Sequence, residues 1–403
     1  VTTPATTPAS STSTPSRGRG VYVHVPFCRR RCPYCDFAIE VGVDSAGFVD
    51  AVVAEAAARG GGFVDVDSVG VVDSVSLGGG TPSSLAPAEL ARLLAHFRRA
   101  LRPGAEVSLE VNPEDITVDV ARGLKDAGFT RVSVGLQSFS DPVLGYLGRA
   151  HSGDSGARAV AALVDVGVDV GVDLIVGVPG EGPTRLADDL ARAAGLGVAH
   201  VSTYLLTLEE GTPLVSLIAR GKRAAIDDDA QAHAYEAVQG LCAAQGFRQY
   251  EVSSFARPGH ESRHNRLYWQ RGDYLGLGPG AHSFFIDVDG RAQRRHNRAR
   301  FLDYRKDPTA GAEHETLEPA HALLEAIAFG LRDKLHGVDV DVLAAWHKTP
   351  VPRGLARVMA RAVDAGDVVV VDGRAFLTDQ GVRFADRVAR AVLAVDTRDV
   401  SGA

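Results

Sequence analysis

Cysteine is scarce in this chain: four residues among 403. That is too few for a disulfide scaffold at this length, and Cys28, Cys32 and Cys35 lie too close together to staple separate elements. A reducing, cytoplasmic setting is therefore expected. Long apolar runs are also missing, since no stretch of about 18 apolar residues is uninterrupted, which argues against a helical membrane span. Positive charge is not in excess. Forty-three Lys and Arg against fifty Asp and Glu give a formal net charge of −7, so no global pull towards nucleic acid or anionic lipid is encoded. The opening Val1–Arg19 is rich in Thr, Ser, Ala and Pro but lacks the apolar middle of a secretory signal, and it is expected to be a disordered lead-in.

From Gly20 the pattern changes. Val21–Val25 reads as a strand, and short Val-rich strands follow at Asp73–Leu77, Glu106–Val111, Arg131–Leu136, Val172–Val176 and His200–Leu205. Helical spacing is found between them at Ser45–Ala58, Pro87–Leu101, Val118–Ala127, Ser155–Val166 and Thr184–Ala194, and again at Asp227–Gln245. Strands of this kind, buried on both faces, predict a parallel sheet with right-handed crossovers, in an α/β fold that forms a partial or full (β/α) barrel. Ligand-bearing residues then belong beyond the carboxyl ends of the strands. Further helices are expected at Pro319–Leu331, Leu355–Gly366 and Val382–Val395, with a hairpin over Val368–Leu377 turning at Asp372-Gly373. This last part is expected to be a small winged-helix-like domain, and Arg374 is the one basic residue on its hairpin, which argues against DNA binding. The organisation is thus read as a lead-in (1–19), an α/β domain (20–245), a linking region rich in His, Asn, Tyr, Trp and Gly (246–315) and a C-terminal domain (316–403).

The chemistry concentrates after the first strand, in Phe27-Cys28-Arg29-Arg30-Arg31-Cys32-Pro33-Tyr34-Cys35-Asp36-Phe37. Spacings of three and two residues let one loop wrap thiolates around a metal centre, and Pro33 keeps the loop from continuing as a helix. The three arginines are expected to favour thiolates and offset cluster charge. A structural zinc is the rival reading and wants a fourth ligand, for which His24 is available but more naturally a packed imidazole. A redox pair of Cys32 and Cys35 would leave Cys28 idle. Cys242, alone on a helix, reads as buried filler. Gly78-Gly79-Gly80-Thr81 closes the second strand, where missing β-carbons let a ligand approach the backbone, although such a run is also an ordinary turn. Polar residues Glu110 and Asn112, and Gln137, end the next two strands, where caps are the plain alternative.

With these motifs the chain resembles the radical S-adenosylmethionine family from about Gly20 to its C-terminus. The resemblance implies that Cys28, Cys32 and Cys35 hold a [4Fe-4S] cluster whose open iron takes the amino and carboxylate groups of S-adenosylmethionine. It gives Gly79, Gly80 and Thr81 to the methionine-binding segment, Glu110 and Gln137 to cofactor contacts, Arg149 to the methionine carboxylate, Asp173 to the adenosyl portion, and Tyr22 to the neighbourhood of the bound cofactor.

Within that family the chain is similar to heme chaperones related to oxygen-independent coproporphyrinogen III dehydrogenases. Those dehydrogenases carry another cysteine two positions after the third cluster ligand, where this chain has Phe37. The string His264-Asn265-Arg266-Leu267-Tyr268-Trp269 matches the chaperones' His-Asn-x-x-Tyr-Trp motif. His264 becomes a candidate heme ligand, with Tyr and Trp offering flat surface to the macrocycle. The plainer alternative is that His264 caps a turn and Trp269 anchors a domain interface; His282, beside Gly278, Pro279 and Gly280, is a second candidate. The resemblance implies carriage of heme to acceptor hemoproteins, among them membrane-bound respiratory enzymes met transiently. Oxidative decarboxylation of coproporphyrinogen III is the competing activity. A homodimer is left open by the sequence.

Overall fold

The computed structural model describes residues 17–64, 68–180 and 182–399. The expected lead-in lies outside these residues up to position 16, and Arg19 already opens the first strand, β1 (Arg19–Val25). Along β1, Val21, Val23 and Val25 are fully buried, while Tyr22 and His24 alternate onto the other face. The chain then makes the short strand β2 (Phe27–Cys28), the cysteine loop, and β3 (Glu40–Val41), which pairs in parallel with β2. The helix α1 (Phe48–Arg59) leads to β4 (Val72–Gly79), α2 (Pro87–Phe97), β5 (Leu101–Val111), α3 (Val118–Ala127) and β6 (Arg131–Gln137). Next come α4 (Asp141–Leu147), α5 (Gly153–Asp165), β7 (Asp169–Val176), α6 (Pro183–Gly195), β8 (His200–Leu205), α7 (Pro213–Ala219) and α8 (Asp228–Ala244).

Strands β1, β4, β5, β6, β7 and β8 lie side by side in that order, all parallel. Their alternate apolar residues, among them Val23, Leu77, Leu109, Val134 and Val172, join one core with the helices outside the sheet. The polar alternates, Ser74, Glu110, Ser133 and Asp173, face inwards. The sheet extends at both ends. Strands β9 (Arg248–Gln249) and β10 (Ser254–Ala256) are antiparallel additions beside β8. After α9 (Arg263–Trp269), β11 (Asp273–Leu277) returns to lie parallel to β1, followed by antiparallel β12 (His282–Ile286), β13 (Ala292–His296) and, past α10 (Phe301–Lys306), β14 (Glu313–Leu317). The twelve-stranded order β14-β13-β12-β11-β1-β4-β5-β6-β7-β8-β10-β9 has two free edges. The barrel is therefore partial.

The C-terminal part holds α11 (Pro319–Gly330), α12 (Val340–Trp346), α13 (Arg353–Asp364), the hairpin β15 (Val368–Val371) and β16 (Arg374–Leu377), α14 (Asp379–Arg383) and α15 (Ala385–Leu393), around its own apolar cluster. Asp372 and Gly373, both at positive φ, make the hairpin turn. Two expected elements differ. The helix expected over Pro87–Leu101 stops at Phe97 because Leu101 already pairs with Val72 as the start of β5. The helix expected over Val382–Val395 is broken at Phe384, which leaves helical geometry at φ −117°.

Candidate functional site

The cysteine loop is fixed from several sides. Glu40 N donates to Pro26 O (2.8 Å), Gly80 N to Val25 O (2.8 Å) and Leu214 N, at the start of α7, to Pro33 O (2.8 Å). Tyr34 packs into the cluster of Val143, Leu147, Ile175 and Leu206. Arg31 donates to the carbonyls of Cys35 and Ile39, closing the loop on itself. All three loop cysteines are free, half-buried, and on the wall of a cavity of about 510 Å³ at the carboxyl ends of the parallel strands.

A chain of hydrogen bonds ties two of those thiols to the strand ends. Cys28 Sγ meets Thr81 Oγ1 (3.3 Å), which accepts from Asn112 Nδ2 (3.0 Å). Asn112 Oδ1 accepts from Arg149 Nη2 (2.7 Å), and Arg149 Nη1 donates to Cys32 Sγ (3.3 Å). Arg149 Nη2 also donates to Gly135 O (2.8 Å), while buried Nε has no acceptor among the described residues.

The glycine run makes room. A β-carbon on Gly80 would stand 2.7 Å from the Pro26 carbonyl carbon, and one on Gly79, at φ +106°, would strike the His24 ring. Gly79 N donates to Glu110 Oε2 (3.0 Å). Glu110 is open to the cavity but ringed by protein, and burial and then neighbouring Asp173 push its pKa up to about 7, against the pull of the Gly79 amide. Asp173, accepting from Ser133 Oγ (3.2 Å), is also raised, chiefly by burial. Gln137 lines the same cavity in the left-handed region (φ +67°), uncommon for a side chain with a β-carbon.

The structure thus brings Cys28, Cys32, Cys35, Gly79, Gly80, Thr81, Glu110, Gln137, Arg149 and Asp173 to one cavity. Asn112 is the junction of the hydrogen-bond chain, a role for which its position at a strand end was the only signal. Tyr22 and His264 are elsewhere. The Tyr22 hydroxyl donates to His24 Nδ1 (3.2 Å), and its ring stacks on His264 with centroids 6.2 Å apart. His264 is 2% exposed, with Nδ1 bonded to Ser74 Oγ and Nε2 to the Tyr268 hydroxyl, both at 2.8 Å. Burial lowers its pKa to about 3. His24 is packed, its Nε2 donating to Ala38 O (3.0 Å), and Cys242 is fully buried. Among the described residues no group of three His, Cys, Asp or Glu side chains is gathered tightly enough to hold one metal ion. A cluster of several irons does not require that, since each thiolate takes a different iron.

The arginine run acts on the thiols through Arg31, whose charge favours the Cys35 thiolate. Arg29 pairs with Asp115 (2.6 Å) and Arg31 with loop carbonyls, while burial pushes the Cys28 and Cys35 thiols up. Arg149 joins Arg31 as a cation beside the thiols, donating to Cys32 Sγ and favouring the Cys28 thiolate. Phe37 stands 60% exposed on the cavity rim.

The profile of the Radical SAM superfamily matches residues 22–213. The heme chaperone HemW of Mycobacterium tuberculosis (strain ATCC 25618 / H37Rv) is 39% identical over 398 residues, covering 94% of this chain and 96% of that protein. HemW of Escherichia coli (strain K12) is 34% identical over 72% of this chain and 78% of its own length. The mitochondrial radical S-adenosyl methionine domain-containing protein 1 of Bos taurus is 37% identical over 78% and 68% respectively. Among solved structures, the coproporphyrinogen III oxidase HemN of Escherichia coli, described as a radical SAM enzyme, superposes with a TM-score of 0.76 at 21% identity, over 94% of this chain and 90% of that one. That likeness is one of fold.

Proposed function

We propose that this chain, which belongs to the radical SAM superfamily and to its HemW branch, holds heme and hands it to acceptor hemoproteins, with a [4Fe-4S] cluster and S-adenosylmethionine as resident cofactors. When bound, the cluster supplies an iron with an open position at which S-adenosylmethionine chelates through its amino and carboxylate groups. Cys28, Cys32 and Cys35 are the three residues with the right donor chemistry on the cavity wall. Gly79 and Gly80 let the cavity wall pack directly on the His24 ring and the Pro26 backbone, where a β-carbon would clash, and Thr81 and Asn112 orient the thiol and guanidinium beside it. The guanidinium of Arg149 on the cavity wall suits a carboxylate by its charge, while Glu110, Gln137 and Asp173 offer acceptors and an amide to a nucleoside. Tyr22, behind Glu110 on the inner face, positions His24 rather than touching the cavity.

The observation that carries the choice of carriage over catalysis is Phe37. At the cavity rim it presents an apolar ring where the related dehydrogenases carry a thiol, so no sulfur stands there to take part in substrate oxidation. No described helix is long and apolar enough to cross a membrane, so a membrane-bound respiratory acceptor would be met surface to surface.

The test is anaerobic reconstitution followed by two parallel measurements: heme titration with transfer to an apo-hemoprotein, and turnover of coproporphyrinogen III. Stoichiometric heme binding and transfer without decarboxylated product is the expected result. Multiple-turnover product would assign the chain to the dehydrogenases instead.

A further inference from the structure

The inner face of the sheet continues past the cavity onto the antiparallel extension. There β12 and β13 place His282 directly across from His296, with the rings face to face, centroids 4.1 Å apart and planes 4° from parallel. His282 is exposed, and among the described residues neither of its ring nitrogens makes a hydrogen bond. His296 turns Nδ1 towards Glu313 Oε2 (3.7 Å). His24, Arg294 and Glu313 are the other charged or titratable groups that face His282.

His264 offers the opposite situation. Each of its nitrogens already has a hydroxyl partner, it sits behind Tyr22, and its backbone N–H donates to Glu106 Oε1 (3.0 Å), fixing the start of α9. Ligating iron there would break two buried hydrogen bonds, leave Ser74 and Tyr268 without partners, and open the sheet to admit a macrocycle.

The histidine pair adjoins the cysteine loop. The turn that feeds His282 meets the loop at Ala38, where a β-carbon on Gly280 would touch Ala38 Cβ at 3.4 Å, and the residue before Ala38 is the exposed Phe37. We propose, resting on the heme-carrying reading above, that His282, backed by His296, ligates the heme iron and that Phe37 covers part of the macrocycle, while His264 holds α9 on the sheet. The bond is dative: an imidazole lone pair fills an axial position and displaces water, with no electron or proton transferred. A cross-strand histidine pair also chelates bare divalent cations, so the test separates the two.

Full-length wild type, His282→Ala, His296→Ala and His264→Asn are titrated with ferric heme, followed by Soret absorbance and electron paramagnetic resonance, and separately with Ni²⁺ alone. His282→Ala is expected to weaken heme binding about tenfold or more, to lose the imidazole-ligated spectrum, and to regain it with added imidazole. His296→Ala is expected to weaken binding less. His264→Asn is expected to lower thermal stability while the heme spectrum of its folded fraction persists. Heme affinity within about threefold of wild type and an unchanged spectrum in His282→Ala overturn the inference, as does a pair needed for Ni²⁺ but not for heme. In both cases heme carriage itself stands. A wild type that takes up no heme sinks that broader reading, and this one with it.

Discussion

Arg149 is the residue on which the cavity turns, because one guanidinium joins a thiol, an amide and a strand-end carbonyl. Arg149→Lys keeps the charge but loses the planar fork, and it cannot bridge Asn112 and Cys32 together. Its expected effect is a loss of S-adenosylmethionine affinity of about 1.5–3 kcal/mol, the range for hydrogen bonds to charged groups, with iron content unchanged. Calorimetric titration of anaerobically reconstituted protein beside iron analysis checks this; loss of iron as well would mean that the cysteine loop had collapsed. Glu110 yields a pH prediction for the ligand-free chain. Its carboxyl titrates at about 7 in the fold against 4.5 ordinarily. Between those values the folded state binds more protons than the unfolded one, so stability falls as pH rises from about 4.5 to about 7. Glu110→Gln is expected to flatten that fall, read as the difference in Tm between pH 5 and pH 7.5 in variant and wild type. Parallel curves would show that Glu110 does not titrate in this window.

At the scale of elements, the glycine run after β4 is where backbone and site meet. Gly79 lies at φ +106° and a β-carbon there would come 2.4 Å from the His24 ring, which is itself held by Tyr22 and Ala38. Gly79→Ala is therefore expected to cost about 1–3 kcal/mol in backbone strain, and to weaken cofactor binding because the ring cannot retreat without breaking both hydrogen bonds. Denaturant unfolding and the same calorimetric titration measure the two effects, and an unchanged midpoint would refute the clash. This glycine cradle was legible in the sequence, as were the parallel strands and the cysteine loop, because apolar periodicity and ligand spacing are local signals. The antiparallel extension was not. Its strands are short, β13 carries Gln293, Arg294 and Arg295, β14 is mostly exposed, and β11 joins the sheet only by pairing with β1 from the far end of the chain. The surroundings of His264 were hidden for the same reason: a His-Asn-x-x-Tyr-Trp string reveals its residue types but not that Ser74 and Tyr268 occupy both ring nitrogens. The cross-strand pairing of His282 with His296 likewise exists only in the register of β12 and β13.

For the whole molecule, the question is what holds the C-terminal unit, which has its own apolar core, against the extended sheet. Trp269 of α9 stacks on Phe329 of α11 (centroids 6.1 Å), consistent with the anchoring role read for it, and Gln270 donates to Asp333 (2.7 Å). The central tie is Glu325 of α11. It accepts from Arg271 Nη2 (2.6 Å) through one oxygen and pairs with Arg294 of β13 through the other. Arg271 is 6% exposed, with its guanidinium 3.9 Å from the centroid of the Phe284 ring, so the cation has little water to fall back on. Removing the carboxylate strands a buried positive charge, and breaking such a pair costs about 3–5 kcal/mol. Glu325→Ala is accordingly expected to lower stability by that order, and Glu325→Gln by less, since an amide oxygen still accepts one bond. Because the two cores are separate, the loss should fall on the junction first, appearing as faster proteolytic cleavage between β14 and α11 before the parallel sheet unfolds. If Glu325→Ala instead unfolds in one transition at the wild-type midpoint, the Glu325 ion pairs are not what joins the two units, and the junction rests on its other contacts, the stacking of Trp269 on Phe329 and the bond from Gln270 to Asp333 among them.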